Sequence, residues 1–149
     1  MVKDKKILLV EDNPDDIELT LRAFKKNNIL NEIIVKTDGM AALDFFFGKN
    51  GITGNHKAEL PILILLDLKI PKIGGIDVLK RLRTDERTKL IPVVILTSSK
   101  EPTDLISCYQ LGCNSYLRKP VDFTLFTEMV RELGFYWLMM NEVPQQYTY

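Results

Sequence analysis

Histidine and cysteine are almost missing: His56, Cys108 and Cys113 are all that 149 residues hold. So small a set excludes a disulfide framework, which needs several pairs in a short secreted chain. The two thiols therefore read as free and buried in a reducing cytosol. His56 has no second metal-type ligand beside it and reads as a solvated side chain. Excess charge of either sign is also missing. Lys+Arg and Asp+Glu both number 20, so there is no general basic footprint for nucleic acid. Long apolar runs are lacking too. Stretches such as Ile62 to Leu66 fall far short of the roughly 20 residues that span a bilayer, and nothing resembles a signal peptide. A soluble, cytoplasmic protein is expected, with neither nucleic acid nor membrane as its partner.

What is present is enough apolar material, 46% of the residues, to fill the core of one domain spanning 1–149. Ile7-Leu8-Leu9-Val10 reads as a strand buried on both faces. It stops at Glu11-Asp12-Asn13-Pro14, where Pro14 suits a first helical turn and Asp15 and Asp16 suit the helix dipole. Ile17, Leu21 and Phe24 keep one helical face to about Asn27-Asn28. Ile33 to Val35 is a second strand and Met40 to Phe47 a second helix. A long polar loop with three glycines follows, from Gly48 to Glu59. Leu60 to Leu66 predicts a third strand running into Asp67.

Lys69 to Gly75 carries a proline and two glycines and must be a loop, the glycines allowing a tight turn into a helix marked by Ile76, Leu79 and Leu82. Val93 to Leu96 predicts the fourth strand, closing at Thr97-Ser98-Ser99. Pro102 opens a fourth helix, which Gly112 closes. Asn114 to Leu117 is a fifth strand. Asp122 caps a last helix, apolar at Leu125, Phe126, Met129, Val130 and Leu133.

Five alternations of strand and helix predict an α/β fold: a flavodoxin-like, doubly wound parallel sheet of five strands, order 2-1-3-4-5, with helices on both faces. In such a sheet the ligand site lies beyond the carboxyl ends of the strands. Those ends deliver Glu11 and Asp12, Asp67, Thr97, and Lys119-Pro120. Crowded carboxylates need a cation, and oxygen donors suit Mg²⁺. An ammonium and a hydroxyl beside one carboxylate suit phosphoryl transfer to that carboxylate.

Four segments, Ile7 to Asn13, Leu65 to Pro71 with Gly74-Gly75, Val94 to Ser99, and Gly112 to Pro120, together resemble the receiver domains of two-component response regulators. The resemblance covers about residues 5–133. It implies that Asp67 takes a phosphoryl group from a sensor histidine kinase. It also implies that Asp12 directly, Glu11 through water and the backbone carbonyl of Lys69 join Asp67 in holding Mg²⁺. Lys119 would pair with the phosphoryl oxygens, ahead of a cis peptide bond to Pro120. Thr97 and Tyr116 would act as the switch. Beyond its own phosphorylation and dephosphorylation the protein would not be an enzyme. Lys69, two residues after the nucleophile, departs from the smaller or uncharged side chain often found there, and with Ser99 bears on the lifetime of the acyl phosphate.

Other strand-end chemistries fit less well. An aspartate-nucleophile phosphatase resembles Asp-x-Asp, and position 69 is lysine. A dinucleotide site would need Gly-x-Gly-x-x-Gly after the first strand, where Glu11-Asp12-Asn13-Pro14 stands. A phosphorylation-independent adaptor would be expected to lack one of the site residues. Few residues follow Leu133, so a stand-alone receiver is expected, signalling to a downstream protein by contact. The 48–59 loop and the aromatic extension 134–149, with Phe135-Tyr136-Trp137, resemble the single-domain regulators paired with phytochrome-type kinases. Six consecutive large apolar side chains, Phe135 to Met140, cannot all be buried by one helical face. They predict a homodimer formed by the last helix and the tail.

Overall fold

The computed structural model describes residues 5–48 and 60–144. Strands β1 (Ile7–Val10), β2 (Ile33–Lys36), β3 (Leu63–Leu66), β4 (Val93–Thr97) and β5 (Ser115–Arg118) alternate with helices α1 (Pro14–Lys26), α2 (Gly39–Phe47), α3 (Gly75–Thr84), α4 (Pro102–Gln110) and α5 (Phe123–Gly134). They form one five-stranded parallel sheet in the order β2-β1-β3-β4-β5, as expected. The central strands β1, β3 and β4 are buried at every residue, while β2 and β5 at the edges are only partly covered.

The two-residue period of a strand sorts the core into two layers. Leu8, Val10, Ile64, Leu66, Val93 and Ile95 point to one face, where Phe46 of α2, Leu79 and Leu82 of α3 and Cys108 of α4 pack on them. Ile7, Leu9, Leu63, Leu65, Val94 and Leu96 point to the other, under Phe24 of α1 and Phe126, Val130 and Leu133 of α5. Helices thus cover both faces. Both cysteines are free and buried. Burial pushes the Cys108 thiol up to about 12, which keeps it protonated and inert.

Local signals start the helices where the sequence places them. Asn13 caps α1 by accepting from the N–H groups of Asp15 (2.9 Å) and Asp16 (3.1 Å), with Pro14 following. Asp122 caps α5 by accepting from the Leu125 N–H at 3.0 Å. Gly112, at φ +95°, closes the turn after α4.

Two strand starts and the burial of one helix residue differ from expectation. β3 begins at Leu63 rather than Leu60, because Pro61 has no N–H to give a ladder. β5 begins at Ser115 rather than Asn114, because the Asn114 side chain enters the ladder and accepts from the Val93 N–H at 2.8 Å. Leu125, expected on the buried face of α5, is exposed. After Gly134 the helix widens into a π-helical run, Phe135–Met140, which buries Leu138 and packs Trp137 against the core while Phe135, Tyr136, Met139 and Met140 stay exposed. The 48–59 loop with His56 lies outside the described residues, except for Gly48. No helix among the described residues is long and apolar enough to cross a membrane.

Candidate functional site

Each strand stops where its last residue leaves the apolar layers, so the polar residues that follow collect at one edge of the sheet. Glu11 after β1 and Asp67 after β3 are buried there, at 3% and 6% exposure, and Thr97 at the end of β4 is fully enclosed. Asp12 is exposed beside them. Carboxylate oxygens of Glu11, Asp12 and Asp67 come within 4.8 Å of one another. An all-oxygen donor set of this kind fits a hard divalent cation.

Lys119, delivered by β5, reaches across the edge. Its ammonium donates to Glu11 Oε1, to Asp67 Oδ2 at 3.0 Å and to Asp16 Oδ2 at 3.0 Å. The other oxygen of Asp67 accepts from the backbone N–H of Leu68 at 2.6 Å and more distantly from that of Lys69 at 3.4 Å. Asp67 is therefore held at both oxygens, and the peptide of Lys69 lies beside it. The helix that follows comes just as close. The Gly75 N–H donates to the Leu68 carbonyl at 3.0 Å, and a methyl on Gly75 would fall on the Asp67 carbonyl and 2.7 Å from Leu68 Cα. Gly74 has ordinary extended geometry, and a Cβ there would make only ordinary contact, 3.9 Å from the Leu68 carbonyl oxygen. The tight turn therefore depends on Gly75 rather than on the pair.

Electrostatics separate the two buried acids. Burial works to raise the pKa of Asp67, but the Thr97 hydroxyl and the Lys119 charge outweigh it and hold the carboxyl below its ordinary 3.8. Burial raises Glu11 to about 7; the Asp67 charge adds to the rise and Lys119 opposes it. Lys119 stays protonated: burial favours its neutral form, and Glu11, Asp67 and Asp16 together overcome that. A charged Asp67 carboxylate beside a proton-holding neighbour is the result.

The sequence-derived residues Glu11, Asp12, Asp67, Thr97 and Lys119 are thus brought to one place. Asp16 joins them, although its sequence setting reads as a plain helix start. The Lys69 ammonium stands 3.8 Å from Asp104 Oδ2. Tyr116 packs against the core with a buried hydroxyl that makes no hydrogen bond of ordinary geometry among the described residues; burial raises its pKa, with the nearby Ser99 hydroxyl pulling the other way. The expected cis bond before Pro120 is absent: the Lys119–Pro120 peptide is trans. Even a prolyl amide favours trans by about 0.5–1 kcal/mol, and in this form Lys119 reaches all three of its acid partners.

A fold and a site of this kind define a phosphoacceptor domain, and sequence comparison agrees. The chain belongs to the response regulator receiver domain family, whose model matches residues 7–131. Such domains are the regulatory components of two-component signalling. The chain is 41% identical over 138 residues to the probable methanogenesis regulatory protein FilR2 of Methanothrix harundinacea, covering 93% of this chain and 86% of the relative. It is 36% identical to the response regulator Rcp1 of Synechocystis, covering 94% and 93%. The Mn²⁺-bound structure of Rcp1 superposes with a TM-score of 0.83, covering 94% of this chain and 99% of that one. The phosphorylated cyanobacterial phytochrome response regulator RcpA superposes with a TM-score of 0.85 at 35% identity, covering 95% and 99%.

Proposed function

We propose that this receiver accepts a phosphoryl group from a sensor histidine kinase onto Asp67 and signals through protein contacts. The observation that carries the reading is Asp67 itself: buried, held ionised, and paired at 3.0 Å with the Lys119 ammonium. Asp67 attacks the phosphorus of the kinase's phosphohistidine. The P–N bond breaks, the imidazole leaves with its electron pair, and an acyl phosphate forms on the carboxylate. Lys119 and the Thr97 hydroxyl then face the new oxyanions. Glu11, Asp12 and Asp67, with the backbone carbonyl of Lys69, would hold Mg²⁺, which when bound offsets the negative charge crowded around the transferred group. Thr97 and Tyr116 are the residues whose movement would report the modification.

The phytochrome response regulator RcpA among the similar structures supports a phytochrome-type kinase as the donor. A homodimer built on α5 and the tail is supported by Phe135, Tyr136, Met139 and Met140, all exposed. An apolar groove of about 310 Å³ lies beside them, between Gly134–Met139 and the Asn27–Asn31 turn. With Mg²⁺ and a phosphoramidate or acyl phosphate donor, intact-mass measurement should show one added phosphoryl group on the wild type and none on Asp67→Asn. Equal labelling of the variant would refute the assignment.

A further inference from the structure

Outside the phosphoacceptor cluster, one polar network spans the edge of the site. Asp104, in the first turn of α4, accepts from the Ser99 hydroxyl at 2.6 Å and stands 3.8 Å from the Lys69 ammonium. Ser99 is itself buried. Its backbone N–H donates to the Thr97 hydroxyl at 3.2 Å, and its own hydroxyl accepts from the Glu101 N–H at 3.3 Å. The Thr97 hydroxyl in turn bears on the Asp67 carboxylate. One side chain on α4 thus grips the β4–α4 loop through Ser99 and the β3–α3 loop through Lys69. Both loops border the nucleophile.

We propose that Asp104 is a positioning residue for phosphoryl transfer: its carboxylate latches Ser99 and Lys69 in the unphosphorylated protein, and opening that latch accompanies acceptance of the phosphoryl group. The proposal rests on Asp67 being the acceptor. A phosphoryl group there places several negative oxygens beside the peptide of Lys69, whose N–H already lies 3.4 Å from Asp67. The flexible Lys69 ammonium, largely exposed where it stands, is drawn from one carboxylate toward a denser charge. Turning Thr97 to the same oxygens withdraws the acceptor from the Ser99 N–H and loosens the Ser99–Asp104 bond. Asp104 touches neither the nucleophile nor the transferred group. It acts by holding Lys69, whose backbone N–H reaches Asp67, and Ser99, which donates to Thr97.

Affinity for beryllofluoride in the presence of Mg²⁺, a phosphoryl mimic at carboxylates, tests the latch by calorimetry. Asp104→Ala should bind about three- to tenfold more tightly than wild type, the scale of one charge-assisted hydrogen bond and one exposed ion pair that need no longer be broken. Ser99→Ala should tighten binding too, and the double variant should gain no more than the better single one. Asp104→Asn keeps an oxygen for Ser99 but no charge for Lys69, and should fall between. A helix-start or loop-fixing role alone would move thermal stability without this coupled gain. Affinities within twofold of wild type, weaker binding, or additive gains would overturn the latch. A wild type that binds no beryllofluoride would overturn both the latch and the assignment of Asp67, whereas normal wild-type binding with unmoved variants would overturn the latch alone.

Discussion

At Asp15 and Asp16 two adjacent acids look equivalent in the sequence, since either suits a helix start. A helix turns by about 100° per residue, and here that rotation carries Asp16 to within 3.0 Å of Lys119 while Asp15 stays at the exposed rim. Glu11, Asp67 and Thr97 were legible because each closes an apolar run, and Lys119 because Lys-Pro follows the fifth strand, whereas Asp16 is set by helix phase and Asp104 by the approach of two loops, which leave no pattern. The two buried acids also set opposite pH dependences. Glu11 holds its proton to about pH 7, against an ordinary 4.5. In the metal-free protein its stabilising contribution is complete below about pH 4.5 and is lost as the pH climbs through 7. Asp67 runs the other way: its contribution is present above its ordinary 3.8 and is lost as the pH falls through its lower native value. A divalent cation competes with the Glu11 proton. Mg²⁺ affinity, measured by calorimetry, should therefore rise with pH to about 7 and then level. In Glu11→Gln that rise should vanish, and a wild-type affinity flat across the range would contradict the role given to Glu11.

Among the elements, the central strands were the most legible, because β1, β3 and β4 are short apolar runs that each stop at a polar residue. Their edges were less so: Pro61 trims β3 and the Asn114 side chain replaces a residue of β5, both effects of single hydrogen-bonding groups. Gly74 and Gly75 illustrate the same limit. Side by side they suggest one flexible turn, yet only at Gly75 would a side chain collide with backbone. Gly75→Ala should destabilise the fold by about 2–3 kcal/mol, the scale of overpacking against atoms that cannot move aside, and should slow phosphorylation by displacing Asp67. Gly74→Ala should change stability by no more than about 0.5 kcal/mol. Urea unfolding of the two variants decides, and equal losses would mean that the close approach of α3 to Asp67 is not what requires glycine.

For the whole molecule, the sheet order was legible from the count of strand–helix alternations. The path of the tail was not. The unbroken apolar stretch showed that some side chains must face outward, but not that the helix would widen and tuck Leu138 and Trp137 inward. With Phe135 and Met139 exposed beside Leu30, sedimentation of the wild type at tens of micromolar should show a dimer, and Phe135→Ala with Met139→Ala should shift it to monomer; a monomeric wild type, phosphorylated or not, would end that reading. The two loops flanking Asp67 also differ in stiffness. The β3–α3 loop is tied backbone to backbone, by Gly75 to Leu68 and by Gly39 to Pro71, and a methyl group at either glycine would collide. The β4–α4 loop is held by side chains, Ser99 and Asp104. Charge placed on Asp67 is therefore expected to deform the β4–α4 loop, held by side chains, more than the β3–α3 loop, held backbone to backbone. Hydrogen exchange on phosphorylation should change at Ser99 to Glu101 and stay level at Leu68 to Gly75; matched changes in both loops would mean that the strain spreads without direction.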